Sequence, residues 1–231
     1  MHPTRFVGRA ALPLSVLVLA AAATAAGAAA PALPKGVPVF EEAGGVVVIE
    51  VESCRPQGDW KPEKDLKGFT GKGYYTWRGG NLFRTRGKGT LLYPVRVAED
   101  GKYHLAIHNR HDFHDSTEQN DCWTRIDEEK WLKTFSSKRG QWTWHTRHEH
   151  SHSKKIPAFY ELKAGLHVLQ ISGRSKGFSI DRIHLYRDGA KNPLDTKRPE
   201  TKRGGPEADE TDDAKPTEKP NGRRRLPFPV R

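Results

Sequence analysis

The stretch that decides the fold is GRSKGFSIDRIHLY, residues 173–186. Its pattern is that of a short turn followed by an amphipathic strand, and the strand carries one inward-facing acid, Asp181. The chain before it supplies strands for it to pair with, whereas the chain after it changes in composition. We therefore expect this strand to close the part of the chain that buries a core.

Residues 1–30 have the pattern of a secretory signal peptide. Arg5 and Arg9 precede an apolar run over residues 10–23, and small residues follow it. The run is shorter than the roughly 20 residues that a membrane-spanning helix needs. We expect a secreted or extracytoplasmic protein (periplasm, cell surface or extracellular) with no membrane span after cleavage, the alternative being an uncleaved N-terminal anchor.

The rest of the chain divides into three parts by composition. Residues 31–45 form a Pro/Ala-rich linker, and residues 46–187 have the length of one domain. The segment after it, residues 188–231, is charged and rich in proline, and few of its residues are apolar. Such a segment cannot offset the entropy of ordering, so we predict a disordered tail.

The formal net charge of +11 bears on the choice of partner. A basic chain can indicate nucleic acid, but the sequence contains no nucleic-acid-binding motif, so we expect no nucleic-acid partner. A positive surface is equally consistent with an acidic polysaccharide or a cell envelope. The composition does not indicate whether the protein is a monomer or an oligomer.

The chain has two cysteines, Cys54 and Cys122. In an oxidising compartment they could form a disulfide, which would stabilise the fold by about 4 kcal/mol in the chain-entropy model. The alternative is two buried thiols.

Short alternating strands separated by turns dominate the chain. No segment before the tail has a convincing helical period, so the fold class is all-β, an antiparallel β-sandwich or jelly roll. The expected strands cover residues 46–52, 89–97, 102–109, 122–127, 130–135, 141–145, 158–162, 167–172 and the closing stretch.

Two segments offer candidate binding groups. Glu50 and Glu52 alternate onto one face of the first strand, as a solvent-facing pair or as part of a cation site. Tyr74, Tyr75 and Trp77 lie among glycines, where little core is available, so exposure is expected. The alternative is that Tyr74 or Trp77 is buried in the core at one end of the sandwich.

Six short motifs follow one another along the domain: EVE at 50–52, GYYTW at 73–77, DGKY at 100–103, WTW at 142–144, LKAGLH at 162–167 and IDRI at 180–183. Taken in this order, they resemble the carbohydrate-binding modules of families 6 and 35, which are galactose-binding-like jelly rolls of secreted polysaccharide-degrading enzymes. The resemblance covers residues 46–187.

The resemblance implies a structural calcium ion and a sugar-binding cleft. The calcium would be held by Glu50, Glu52 and Asp181, since a hard cation requires several oxygen ligands. The cleft would place a sugar ring between the aromatic residues of the loops, with polar side chains at the hydroxyls. Its aromatic residues would be Tyr74, Tyr75, Trp77, Trp142 and Trp144, and its polar candidates Asn81, Asn120, Asp121 and Arg174.

Histidines concentrated in the second half of the domain give a competing hypothesis. His148, His150 and His152, with Asp112 or Asp115, would form a hydrolytic zinc or copper site in which Glu149 acts as base. Their spacing matches no zinc motif of known geometry, and the chain has no nucleophile elbow, H-E-x-x-H or phosphate loop. The sequence favours a non-catalytic sugar-binding protein over this hydrolase and over an envelope or matrix protein that binds no sugar.

Overall fold

The computed structural model describes residue 33, residues 37–112 and 119–201, and the backbone of residues 203–204. The predicted signal peptide lies outside these residues, as do residues 205–231. Within the described ranges, no helix is long and apolar enough to cross a membrane.

Nearly half of the described residues lie in short strands, and one 3-10 turn covers Val51–Ser53. The strands are β1 (Val39–Glu41), β2 (Val46–Glu50), β3 (Trp60–Glu63), β4 (Tyr74–Trp77), β5 (Leu91–Val97), β6 (Gly101–Arg110), β7 (Asp121–Ile126), β8 (Leu132–Phe135), β9 (Arg147–Ser151), β10 (Lys154–Pro157), β11 (Phe159–Leu162), β12 (Gly165–Ser172), β13 (Ser179–Arg187) and β14 (Arg203–Gly204).

These strands form two sheets. The larger sheet has the order β10-β9-β8-β7-β12-β5-β1-β14. The smaller has the order β11-β6-β13-β4-β3, and β2 also pairs with β13. All pairs are antiparallel except β1 with β5. The predicted all-β sandwich is confirmed.

The core lies between the inner faces of the two sheets. Along β13, Ile183 and Leu185 are fully buried in the core cluster, while His184 between them faces outward, as alternation on a strand requires. Tyr93 and Val95 supply the opposing layer from β5. Each fully buried aliphatic side chain contributes about 1.5–3 kcal/mol.

The pairing of the closing strand with the early strand is also present. Arg182 lies opposite Glu50, and Tyr186 opposite Val46. The early strand is shorter than predicted, however. It ends at Glu50, and the chain turns through Val51–Ser53, so Glu52 does not share a strand face with Glu50.

The folded part extends beyond both predicted boundaries. The predicted linker 31–45 contains β1, which pairs with β5. Past residue 187, Thr201 is buried, and both its backbone N–H and its hydroxyl donate to the Val48 carbonyl. The Thr201 hydroxyl also accepts from the Val48 N–H at 3.3 Å. The physical reason for this extension is Arg182, which is 3% exposed and donates to the carbonyls of Thr196 and Arg198.

Of the two alternatives for the cysteines, the structure has the buried thiols. Cys54 and Cys122 are both buried, and no disulfide joins them. Burial raises the pKa of the Cys122 thiol far above its usual range, so the residue stays a protonated apolar side chain.

Candidate functional site

A row of aromatic rings lies on the outer face of the smaller sheet. We call Trp142, His108, Trp144 and His184, in this spatial order, the aromatic row. Successive ring centroids are 5.4, 4.8 and 4.5 Å apart. The two histidines are buried, whereas Trp142 and Trp144 are half-buried and keep part of their surface in solvent. The row is therefore a partly exposed aromatic platform.

The position of the tryptophans follows from one short pairing. Asn109 and Thr143 exchange backbone hydrogen bonds of 2.9 and 3.0 Å. The residues on either side of Thr143 therefore point to the same face of the sheet as His108, which precedes Asn109 on β6. Asn109 Nδ2 also donates to the carbonyls of Thr143 and His145, which holds this segment against the edge of β6.

Next to the row, three acids converge on the loop that contains Thr70. The backbone N–H of Thr70 donates to both carboxylate oxygens of Asp181, at 3.1 and 3.0 Å, and its hydroxyl donates to Glu50 at 2.8 Å. Glu52 accepts from the backbone N–H of Lys72. A register shift between Ile180 and Arg182 aims Asp181 at this loop.

The acidic cluster is electrostatically unfavourable by itself. Burial raises the pKa of Glu50 to about 7, with a smaller contribution from the charges of Glu52 and Asp181. Burial likewise raises the pKa of Glu52, whose Oε2 is buried without a hydrogen-bond partner. A Cβ at Gly71 would lie 2.2 Å from Glu52 Oε1, so the glycine keeps the space between the acids open.

These features fit a hard cation, although the acids do not already surround one. Although the three acids reach the same loop, no group of three acidic, histidine or cysteine side chains among the described residues is arranged so that it could hold a metal ion. Instead, Thr70 donates hydrogen bonds to Asp181 and Glu50, and the backbone N–H of Lys72 donates to Glu52. Carboxylate oxygens are nevertheless the ligand type that calcium prefers, and Glu52 Oε2 has no hydrogen-bond partner within the described residues.

The predicted exposure of the glycine-rich aromatic segment is wrong. Tyr74, Tyr75 and Trp77 are 0, 3 and 2% exposed, so they offer no face to a sugar. Glycines enclose Trp77, because a Cβ at Gly79 or Gly173 would approach its ring to 2.6 or 2.3 Å. The glycines therefore let the backbone close over the ring.

Tyr74 and Tyr75 have structural contacts of their own. The Tyr75 hydroxyl donates to the Cys54 carbonyl at 2.7 Å inside the core. Tyr74 lies beneath the aromatic row, 5.1 Å from the Trp142 ring, and its hydroxyl donates to Asp65.

The four polar candidates do not line the aromatic row. Asn120 and Asp121 are 5 and 0% exposed, and Asp121 accepts from Arg174 and Ser175. Their predicted role as exposed sugar ligands is wrong. Arg174 and Asn81 lie in two loops bonded to each other, since the Asn81 side chain accepts from the backbone N–H of Lys176 at 2.9 Å.

The histidine-rich alternative is not assembled. His148 is fully buried, and burial lowers its pKa to about 3, whereas Glu149 lies on the other face of β9 and pairs with Lys133. Asp115 lies outside the described residues. Within the part of the chain that the structure describes, no group of three potential metal ligands is assembled here either.

Sequence reasoning missed two groups at the site. His108 donates to Asp181 at 2.6 Å and so connects the aromatic row to the acidic cluster. Thr70 bridges Glu50 and Asp181. The available signal for His108 was its place on β6 between the core residue Ile107 and Asn109, which puts it on the outer face.

Neither models of protein families nor curated proteins match the chain. Among solved structures it is similar to the GH26-CBM35 β-(1,4)-mannanase of Podospora anserina, at 18% identity and a TM-score of 0.47, over 65% of this chain and 29% of that one. It is also similar to a family 35 carbohydrate binding module from Clostridium thermocellum, at 14% identity and a TM-score of 0.43, over 62% of this chain and 98% of the module.

A third similar structure is a carbohydrate binding module of Cellvibrio mixtus lichenase 5A in complex with cellotriose. Identity is 15% and the TM-score 0.40, over 61% of this chain and 96% of that one. The chain thus spans less than a third of the mannanase and nearly all of each isolated module.

Proposed function

We propose that this protein is a secreted, non-catalytic carbohydrate-binding protein, and that its sugar site is the aromatic row on the outer face of the smaller sheet. The observation that carries the proposal is the pair of half-buried tryptophans, Trp142 and Trp144, which lie on that face on either side of the His108 ring. The resemblance of the sequence to families 6 and 35 supports the same class.

The chemistry of the row suits a pyranose ring. The C–H face of a sugar stacks on an indole plane, and two indoles in one row offer room for more than one residue of a sugar chain. His108 holds the two tryptophans apart, since its ring contacts both. Because His108 is itself fixed by its bond to Asp181, the platform is preorganised, which lowers the entropic cost of binding.

The acidic cluster gives the proposal a second part, a structural calcium ion. Glu50, Glu52 and Asp181 would hold it, and its charge would offset the repulsion among one fully buried and two partly buried carboxylates. Asp181 lies on the closing strand and Glu50 on β2, so the ion would join these two strands. Because Asp181 also holds His108, calcium would stabilise the aromatic row.

The test is retention of the full chain on a panel of insoluble polysaccharides, with Trp142→Ala and Trp144→Ala as variants. We expect the parent protein to be retained on at least one polysaccharide and to release no soluble sugar. Each variant should keep its melting temperature within a few degrees and lose retention. Undiminished retention of both folded variants would disprove the site, and release of sugar would favour an enzyme.

A further inference from the structure

Two basic loops form one surface at an end of the sandwich. The first, residues 78–90, joins β4 to β5, and the second, residues 173–178, joins β12 to β13. Leu82 N–H donates to the Arg174 carbonyl at 2.7 Å, and Gly173 N–H donates to the Lys88 carbonyl at 3.0 Å. Since each loop bonds to the other, they make one continuous face, which we call the basic loop face.

Stacked rings and guanidinium groups fix this face. The Arg174 guanidinium lies 4.9 Å from the ring centroids of both Phe83 and Trp123. Arg86 lies over the Trp123 ring at 4.7 Å. Such cation–π contacts hold a guanidinium by its plane and leave its N–H edges able to bind an anion.

The face has a charge imbalance that the fold does not neutralise. Between residues 79 and 90 the first loop contains three basic residues and no acid, and the second loop contains Arg174 and Lys176 and no acid. The Arg174 guanidinium forms an ion pair with the buried Asp121. Arg84, Arg86, Lys88 and Lys176 are exposed, and no ion pair involves them within the described ranges.

An exposed ring stands among these cations. Phe83 is 41% exposed, whereas nearly all other large apolar side chains of the described chain are covered. Its ring rests on Arg174 and is held in place by it. A flat apolar ring surrounded by cations can stack on the face of a sugar whose substituents are anionic.

We propose that the basic loop face is a second binding site and that its ligand is an anionic polysaccharide. Repeated carboxylate or sulfate groups along a sugar chain would pair with Arg84, Arg86, Lys88 and Lys176, while Phe83 contacts a ring. The site shares no residue with the aromatic row, so this proposal can be tested independently of the sugar site proposed there.

The test is affinity electrophoresis of the full chain in gels containing polygalacturonate, heparin or a neutral galactan. The variant Arg84→Gln/Arg86→Gln/Lys88→Gln removes three exposed charges from the face. The matched control Lys61→Gln/Lys64→Gln/Lys67→Gln removes three exposed charges from β3 and the loop that follows it. Phe83→Ala tests the ring, and replacing Arg223, Arg224 and Arg225 by Gln removes the basic cluster near the C-terminus.

We expect retardation by at least one anionic polysaccharide and none by galactan through this face. The loop variant should lose affinity at least about tenfold, or about 1.4 kcal/mol, and the lysine control less than about twofold. Phe83→Ala should also bind more weakly, and the comparison of polygalacturonate with heparin separates carboxylate from sulfate recognition. Trp144→Ala should leave binding to the anionic chain unchanged, which separates the two sites.

Three results would overturn the proposal. Equal losses in the loop variant and the lysine control would show attraction to overall charge alone. Loss only on replacing Arg223, Arg224 and Arg225 would assign binding to that cluster. Single-stranded DNA bound as tightly as either polysaccharide, with the same dependence on the loop residues, would identify the face as a nucleic-acid site.

Discussion

Acid should destabilise this protein through the buried imidazole of His148. The side chain is fully buried, its Nδ1 has no hydrogen-bond partner among the described residues, and its Nε2 lies 3.4 Å from the Thr124 hydroxyl. Its ring packs against Tyr160, with centroids 5.2 Å apart. Burial, with a smaller contribution from His150, lowers its pKa to about 3, so the folded protein holds it neutral.

The sign and size of the effect follow from proton linkage. The unfolded chain binds a proton at this histidine near pH 6.5, whereas the folded protein does so only near pH 3. The contribution that neutral His148 makes to stability is therefore fully present above pH 6.5, and it is lost as the pH drops from 6.5 toward 3. Between pH 7.5 and pH 5.0 the loss attributable to His148 is about 2 kcal/mol.

The assay is urea unfolding at these two pH values, for the parent protein, His148→Leu and the exposed control His150→Leu. The free energy of unfolding of the parent and of His150→Leu should fall by about 2 kcal/mol more than that of His148→Leu. Other buried groups, including His184, contribute equally to all three proteins and cancel. Equal pH dependence in the parent and His148→Leu would refute the burial argument.

Three further outcomes are expected. A chelator should lower the melting temperature, and added calcium should restore it in the parent but not in Glu52→Gln; an unchanged melt would contradict the calcium site. Gly173→Ala should cost about 1–3 kcal/mol in thermal or urea unfolding, because its Cβ would meet the Trp77 ring, whereas Gly80→Ala, with open space, should change stability by less than about 0.5 kcal/mol. Truncation after residue 187 should lower the free energy of unfolding by about 3 kcal/mol, because Arg182 would lose its carbonyl partners. Truncation after residue 204 keeps these partners and should lower it far less. Equal stabilities of the two glycine variants, or of the two truncated proteins, would contradict these assignments.

The sequence predicted what depends on local alternation. The alternating strand patterns predicted the β-sandwich. In the structure, β2 pairs with β13, and this pairing brings Glu50 and Asp181 to the same loop. Trp142 and Trp144 share one face, because residues two apart on an extended chain point the same way. Their contacts with His108 and His184 depend on tertiary pairing, which no local pattern contains.

The errors share a physical origin in backbone packing and polar contacts. Trp77 was expected to be exposed because glycines surround it, yet glycines from distant segments are what let the backbone cover it. The boundary at residue 187 was drawn from a lack of apolar residues. The segment that follows is held by carbonyl bonds to Arg182 instead, and a buried arginine in a strand was the sign that such partners exist.

The central claim is that Trp144 binds sugar on the outer face of the smaller sheet. Its most direct test is calorimetric titration of a neutral oligosaccharide, derived from a polysaccharide that retains the protein, into the parent, Trp144→Ala and Trp131→Ala. Trp131 is the matched control because it is also half-buried but stacks with Arg125 of the larger sheet. We predict a loss of affinity of at least about tenfold for Trp144→Ala and less than about twofold for Trp131→Ala; unchanged affinity in folded Trp144→Ala would contradict the account.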